Sequence, residues 1–199
     1  MKTAFVAIFL TIIVHTGFSQ TFPSQLWHEG KLVLITDEVI SGIIKYDQVQ
    51  GIVQVEVDEK IFTYSAKSIF HFKIYDITSD SYREFYSLPY GLVSSYKTPV
   101  IFEVLIEGNI TLLSREYVTT KNIQDPFSFG SYAKEVIVYD YYFLDKEGNI
   151  KAYTMKKKDL YNVLSKRQSQ VVEYMKTNRL RHDNRNDLIR VILFYNALI

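Results

Sequence analysis

From residue 31 to residue 155 the chain is a succession of short runs rich in Val, Ile, Phe and Tyr, each closed by a turn-forming cluster. The runs cover 31–36, 39–46, 52–57, 60–64, 69–74, 82–86, 100–106, 110–118, 136–144 and 150–155. Asp37-Glu38, Asp47 to Gly51, Asp58-Glu59, Glu107-Gly108-Asn109 and Asp145 to Asn149 supply the turns. Several runs alternate. Val53, Val55 and Val57 fall on one face while Gln54 and Glu56 fall on the other, the period of a half-buried strand. Short strands at regular spacing joined by tight turns argue an antiparallel meander or small barrel. Pro89 ends a strand or sits at an edge. Residues 119–133, polar and glycine-bearing, read as a loop.

After residue 155 the period changes to 3.6. Leu160, Val163 and Leu164 make one stripe. Ser165 with Gln168 reads as a capping box for a helix carrying Val171, Val172 and Met175, and Asn178 suits a left-handed cap at its end. Asp183 or Asn184 can cap a last helix striped by Leu188, Ile192 and Tyr195. The fold class is therefore α+β: an antiparallel β body over 20–155 and a C-terminal three-helix subdomain over 156–199. Within the body, 26–80 suits a meander or small barrel and 81–155 a second sheet.

Lys2, the apolar run 4–14 and the small-residue site Gly17-Phe18-Ser19 have the form of a secretory signal peptide, 1–19, cut before Gln20. Cleavage leaves 180 of the 199 residues. No second apolar stretch reaches the roughly 18 residues that span a bilayer. An exported, soluble chain, periplasmic or secreted, is the expectation. There are no cysteines, which excludes disulfide scaffolds, thiolate metal sites and cysteine nucleophiles.

Charge is divided unevenly. Residues 20–150 hold 11 Lys and Arg against 18 Asp and Glu, a net of −7, and residues 151–199 hold 11 against 4, a net of +7. The basic end could dock on an anionic surface, or simply lie beside its own acidic body. The two sums cancel, so no long-range pull on a polyanion is expected, and nucleic acid is not an expected partner.

Signals for chemistry are sparse. His28, His71 and His182 show no metal-ligand spacing, and a zinc site from His28, His71 and a carboxylate is not preferred. Ser94-x-x-Lys97 lacks companion motifs. No phosphate-binding glycine loop occurs, so no cofactor is expected. Glu103 and Glu116 could serve as the paired carboxylates of an envelope-polymer hydrolase. A structural ion pair between Glu103 and Arg115, on neighbouring strands of the 100–118 hairpin, is the preferred reading.

Aromatic density is the most distinctive feature, with 16 tyrosines. Tyr82, Phe85, Tyr86, Tyr90 and Tyr96 crowd one stretch, and Tyr139, Tyr141 and Tyr142 another. Tyrosine combines an apolar ring with a polar tip and suits sugar and peptide surfaces, though it also fills half-wet sheet faces. Tyr86, Tyr90 and Tyr96 are the expected ligand-binding residues.

As a set, Ser41-Gly42-Ile-Ile-Lys-Tyr46, Arg83-Glu-Phe-Tyr86 with Leu88-Pro89-Tyr90, Phe102-Glu-Val-Leu105 with Leu112-Leu-Ser-Arg-Glu116, Tyr139-Asp-Tyr-Tyr-Phe143 and Asp187-Leu-Ile-Arg with Tyr195-Asn196 resemble an uncharacterised group of exported Bacteroidota-type proteins. The resemblance implies export and carries over no catalytic residue. Three readings follow. The first is a non-enzymatic exported or envelope-associated module that binds a protein, peptide or glycan through residues 82–97. The others are the carboxylate hydrolase and a subunit docking its basic helices on an anionic surface.

Overall fold

A computed structural model describes residues 22–92, 96–124 and 130–199. The expected leader, Ser94-Ser95 and Asp125-Pro126 lie outside the described residues. Ten strands form one antiparallel sheet: β1 (His28–Leu34), β2 (Val39–Asp47), β3 (Ile52–Val57), β4 (Lys60–Ser65), β5 (Ile69–Asp76), β6 (Ser81–Tyr90), β7 (Thr98–Ile106), β8 (Ile110–Gln124), β9 (Ser131–Asp145) and β10 (Ile150–Tyr153). Three helices follow, α1 (Lys157–Val163), α2 (Gln168–Thr177) and α3 (Arg185–Ala197). The architecture is α+β, as the change of period predicts.

The strand order is β10-β9-β8-β7-β6-β5-β1-β2-β3-β4. The first strand is therefore central, held by β2 on one side and β5 on the other. The ladder runs unbroken through β5 and β6, so 81–155 is not a separate sheet, and its ends do not meet, so 26–80 is not a closed barrel. Where it is described, the expected loop over 119–133 is strand at 119–124 and 131–133. β8 and β9 pair from Ile110↔Asp145 out to Gln124↔Ser131. Threonine, isoleucine and tyrosine inside that polar stretch sustain extended backbone.

Turn chemistry explains the tight reversals. Asp58 and Glu59, the two residues between β3 and β4, have φ of 48° and 63°, the left-handed pair that matches the twist of a two-residue hairpin. β6 continues through Pro89 to Tyr90 because Pro89 lies opposite Pro99 on β7, a pair in which each missing N–H points away from the partner strand.

The sheet curls. Leu32, Ile44, Val53, Val55, Phe72, Ile74, Phe85 and Ile101 come from six strands, are wholly buried, and form one apolar cluster with no helix among its members. Only a sheet bent over its own face can bury them so. Gly30 and Gly42 face each other across β1 and β2 on that concave face. A Cβ on Gly30 would overlap the Lys73 carbonyl oxygen, and one on Gly42 the Glu56 carbonyl oxygen. Bare backbone lets the neighbouring strands close in at the bend.

Farther along the same face the three helices cover β8 to β10. Leu112, Tyr141, Phe143 and Tyr153 meet Leu160, Leu164, Val171, Leu188, Val191, Ile192 and Tyr195. Asn184 caps α3 as predicted, accepting from the Asp187 N–H. α2 begins at Gln168 after a 3-10 turn over Ser165–Arg167, and no side chain caps it. Arg179, with φ of 52°, takes the left-handed position expected of Asn178. The Asn196 side chain on α3 bonds both backbone groups of Ile110 (2.8 and 2.9 Å), tying the helix to the start of β8.

Candidate functional site

Between the curled core and the helix-covered core, on the same face, lies a seam of charge. Period-2 alternation turns Asp76 inward after Phe72 and Ile74 on β5, Arg83 inward beside Phe85 on β6, and Glu103 inward after Ile101 on β7. Ser114 and Glu116 turn inward after Leu112 on β8. All five are buried. Arg83 is the hub. Its Nε donates to Glu103 Oε1 (2.9 Å). Nη2 donates to Glu103 Oε2 (2.9 Å) and Glu116 Oε2 (2.9 Å). Nη1 donates to Asp76 Oδ2 (3.1 Å) and to the Tyr46 hydroxyl (2.8 Å). Every guanidinium N–H is thus engaged.

The acceptors are equally committed. Tyr46 Oη donates to Glu116 Oε1 (2.5 Å), and Ser114 Oγ to Glu103 Oε2 (3.0 Å). Thr78 donates its N–H and hydroxyl to Asp76 Oδ1 (2.9 and 2.7 Å). Arg185 on α3 adds a long contact to Glu103 Oε1 (3.4 Å). Two arginines therefore stand against three carboxylates.

Burial alone would lower the Arg83 pKa, but the Glu103 carboxylate, with Tyr46 and Glu116, raises it far above its ordinary value. Burial raises the Tyr46 phenol strongly, with Glu116 adding to it against the pull of Arg83. Burial pushes Asp76 up, yet its bonds from Thr78 and Arg83 win and hold its carboxyl below the usual range. A lowered carboxyl stabilises the fold above its unfolded pKa, near pH 4, and loses that contribution as pH falls through the folded value.

The expected Glu103–Arg115 pair is not formed. Glu103 stands opposite Ser114, so Arg115 projects from the other face of β8, where it donates to the Gln48 carbonyl. Arg83 takes its place. A charged residue at an inward position on each of four strands was the signal in the sequence. Gln48, from the β2–β3 turn, was also missed. Its amide donates to the Ile101 carbonyl (3.2 Å) and accepts from the Glu116 N–H (2.8 Å), bridging β7 and β8 where their ladder stops.

A polar cleft of about 310 Å³ opens over the seam, lined by Thr78, Ser79, Ser81, Tyr139 and Arg185 above Arg83 and Glu103. General acid–base work needs a carboxyl free to exchange a proton with substrate. Here Glu103 and Glu116 are clamped by one guanidinium and reinforced by hydroxyls. The arrangement ties β2, β5, β6, β7, β8 and α3 at one point.

The three expected binding tyrosines have different surroundings. Tyr86 stacks on His71 (centroids 5.2 Å) beside Phe70, with its hydroxyl donating to Glu84. Tyr90 packs edge-on against Phe102 and Tyr142. Tyr96, in the β6–β7 connection, is 77 % exposed. The outward face of β5 and β6 offers other aromatics instead. Tyr82 is 70 % and Phe70 52 % exposed, Tyr75 meets Tyr82 edge-on at 5.2 Å, and Lys73 lies 5.0 Å over the Tyr82 ring. At the Tyr82 end of this face a shallow basin of about 790 Å³ is bordered by Glu29, Lys31, Ile43, Lys73, Tyr75 and Tyr82.

Among the described residues no three His, Asp or Glu side chains are placed to hold a metal ion. His28 instead donates Nε2 to the Pro23 carbonyl (2.8 Å). Nor is any helix among them long and apolar enough to cross a membrane. Comparison with known proteins finds no match to this chain, whether among family models, curated proteins or solved structures.

Tyr141, in the helix-covered core, gives a check on the packing. Burial pushes its phenol up to about 12. A raised pKa means stability fully present below the unfolded value and lost as pH rises through the folded one. The urea midpoint should therefore fall between pH 10 and 12 while tyrosinate absorbance lags behind that of free tyrosine. A midpoint level across that window would contradict the burial of Tyr141.

Proposed function

We propose that this protein is a non-enzymatic binding module that acts outside the cytoplasm after loss of residues 1–19, and that it binds through the outward aromatic face of β5 and β6. The observation that carries the reading is the exposure of Tyr82 on the rim of the Lys73-bordered basin, with Phe70 exposed farther along the same two strands. Exposed rings with a cation alongside suit stacking on sugars or on extended peptide. The clamped state of Glu103 and Glu116 supports contact over turnover.

The test is retention of ligand from envelope extract by the immobilised mature chain. Phe70→Ala with Tyr82→Ala should lower recovery of the retained species about tenfold, as loss of two anchoring aromatics does. Equal recovery by both proteins removes this surface. Hydrolysis of a cell-wall or sugar polymer that Glu103→Gln abolishes would replace the module with the hydrolase.

A further inference from the structure

β8 outruns its neighbour. β7 pairs with β8 only from Glu103↔Ser114 to Ile106↔Leu112, and beyond that the Gln48 amide stands in the gap between them, bonding the Ile101 carbonyl and the Glu116 N–H. Among the described residues, β8 from Tyr117 to Gln124 is bonded to β9 alone. Because the Glu116 N–H points into the gap, alternation points the backbone groups of Val118, Thr120, Asn122 and Gln124 the same way. Among the described residues none of them meets a partner strand. The two walls of the gap differ. Pro99 blunts the β7 wall, having no N–H to offer, whereas the β8 wall carries no proline and no bulge.

This stretch of the ribbon carries one more anomaly. Lys121 lies directly opposite Lys134, both exposed, with Ile123 opposite Tyr132 beyond them. Like charges directly opposite weaken a two-stranded ribbon that is marginal by itself. Both defects, the unpaired edge and the doubled charge, are cured by the same occupant.

We propose that the open edge of β8, Tyr117–Gln124, accepts an extended acidic segment of a partner protein as an added strand, with its carboxylates beside Lys121 and Lys134. The strand would enter next to the groove of about 460 Å³ that runs along Gln25, Gln50, Gln54 and Tyr117. A second copy of this chain is a poorer occupant, since edge-to-edge pairing of two β8 strands brings lysine against lysine.

The probe is a fluorescent, acetylated eight-residue peptide of alternating glutamate and valine, titrated into the full chain, with its lysine–valine counterpart as control. The glutamate peptide should bind saturably, shift the amide resonances of Val118, Thr120 and Asn122, and weaken with salt. Lys121→Glu with Lys134→Glu should cost about tenfold in affinity or more. Thr120→Pro should cost a similar factor without lowering the thermal midpoint, because it removes an N–H that faces the gap and none that faces β9. Equal binding of the lysine peptide, no binding of the glutamate peptide at millimolar concentration, or full affinity in Thr120→Pro would each overturn the proposal. Concentration-dependent dimerisation that Thr120→Pro abolishes would assign the edge to a second copy instead. The site stands apart from the aromatic face: Tyr82→Ala should leave the peptide titration unchanged.

Discussion

Arg83→Met should destabilise the protein by about 3–5 kcal/mol at neutral pH, the cost of leaving buried carboxylates without their cation. Asp76 and Glu116 are stranded, and Glu103 keeps just the long contact from Arg185, because one guanidinium serves all three. The loss should be smallest in acid. Once the stranded carboxyls take up protons they are no longer uncompensated charges, so the gap between variant and wild type should narrow as pH falls from 7 toward 4. Tyr46→Phe should cost less, about 1–3 kcal/mol, since it removes one hydroxyl that accepts from Arg83 and donates to Glu116. Chemical denaturation at several pH values reads both. An Arg83→Met protein as stable as wild type at pH 7, or a deficit unchanged at pH 4, would remove the seam as the tie between the two cores.

The second large effect belongs to the bend. Gly30→Val and Gly42→Val should each cost about 3 kcal/mol or more, above the usual range for overpacking, because the obstacle is a backbone carbonyl that no rotamer change can move aside. Gly148→Ala is the contrast. Gly148 has open space around it, and its φ of 82° makes the strain purely local. If Gly30→Val melts within a degree or two of wild type, the strands do not approach as closely at the bend as described.

Most of the fold was legible because period-2 alternation and paired turn residues are local signals, and the strands they mark are the ones found. The helix stripe at Leu188, Ile192 and Tyr195 and the cap at Asn184 were legible for the same reason. What resisted reading depends on distance. Nothing near Lys31 says that its strand will sit between β5 and β2. The reach of β8 and β9 was hidden because Thr119, Thr120, Lys121 and Asn122 read as loop when no partner strand is in view. In the site, Glu103 was found but given the wrong arginine. A hairpin counted without its register makes Arg115 the near neighbour, and a shift of one residue sends that side chain to the opposite face. Tyr86 and Tyr90 show the same limit: tyrosine serves surface and core alike, and both turn out half-buried, packed against His71 and Phe102.

The central place of β1 has a consequence for how the chain reaches this state. β1 and β2 can zip together as soon as residues 28–47 exist, but the other flank of β1 stays bare until residues 69–76 arrive. Closure over that separation is the slow, entropically costly step of the N-terminal half, and a chain halted before residue 69 would present a naked sticky strand to its neighbours.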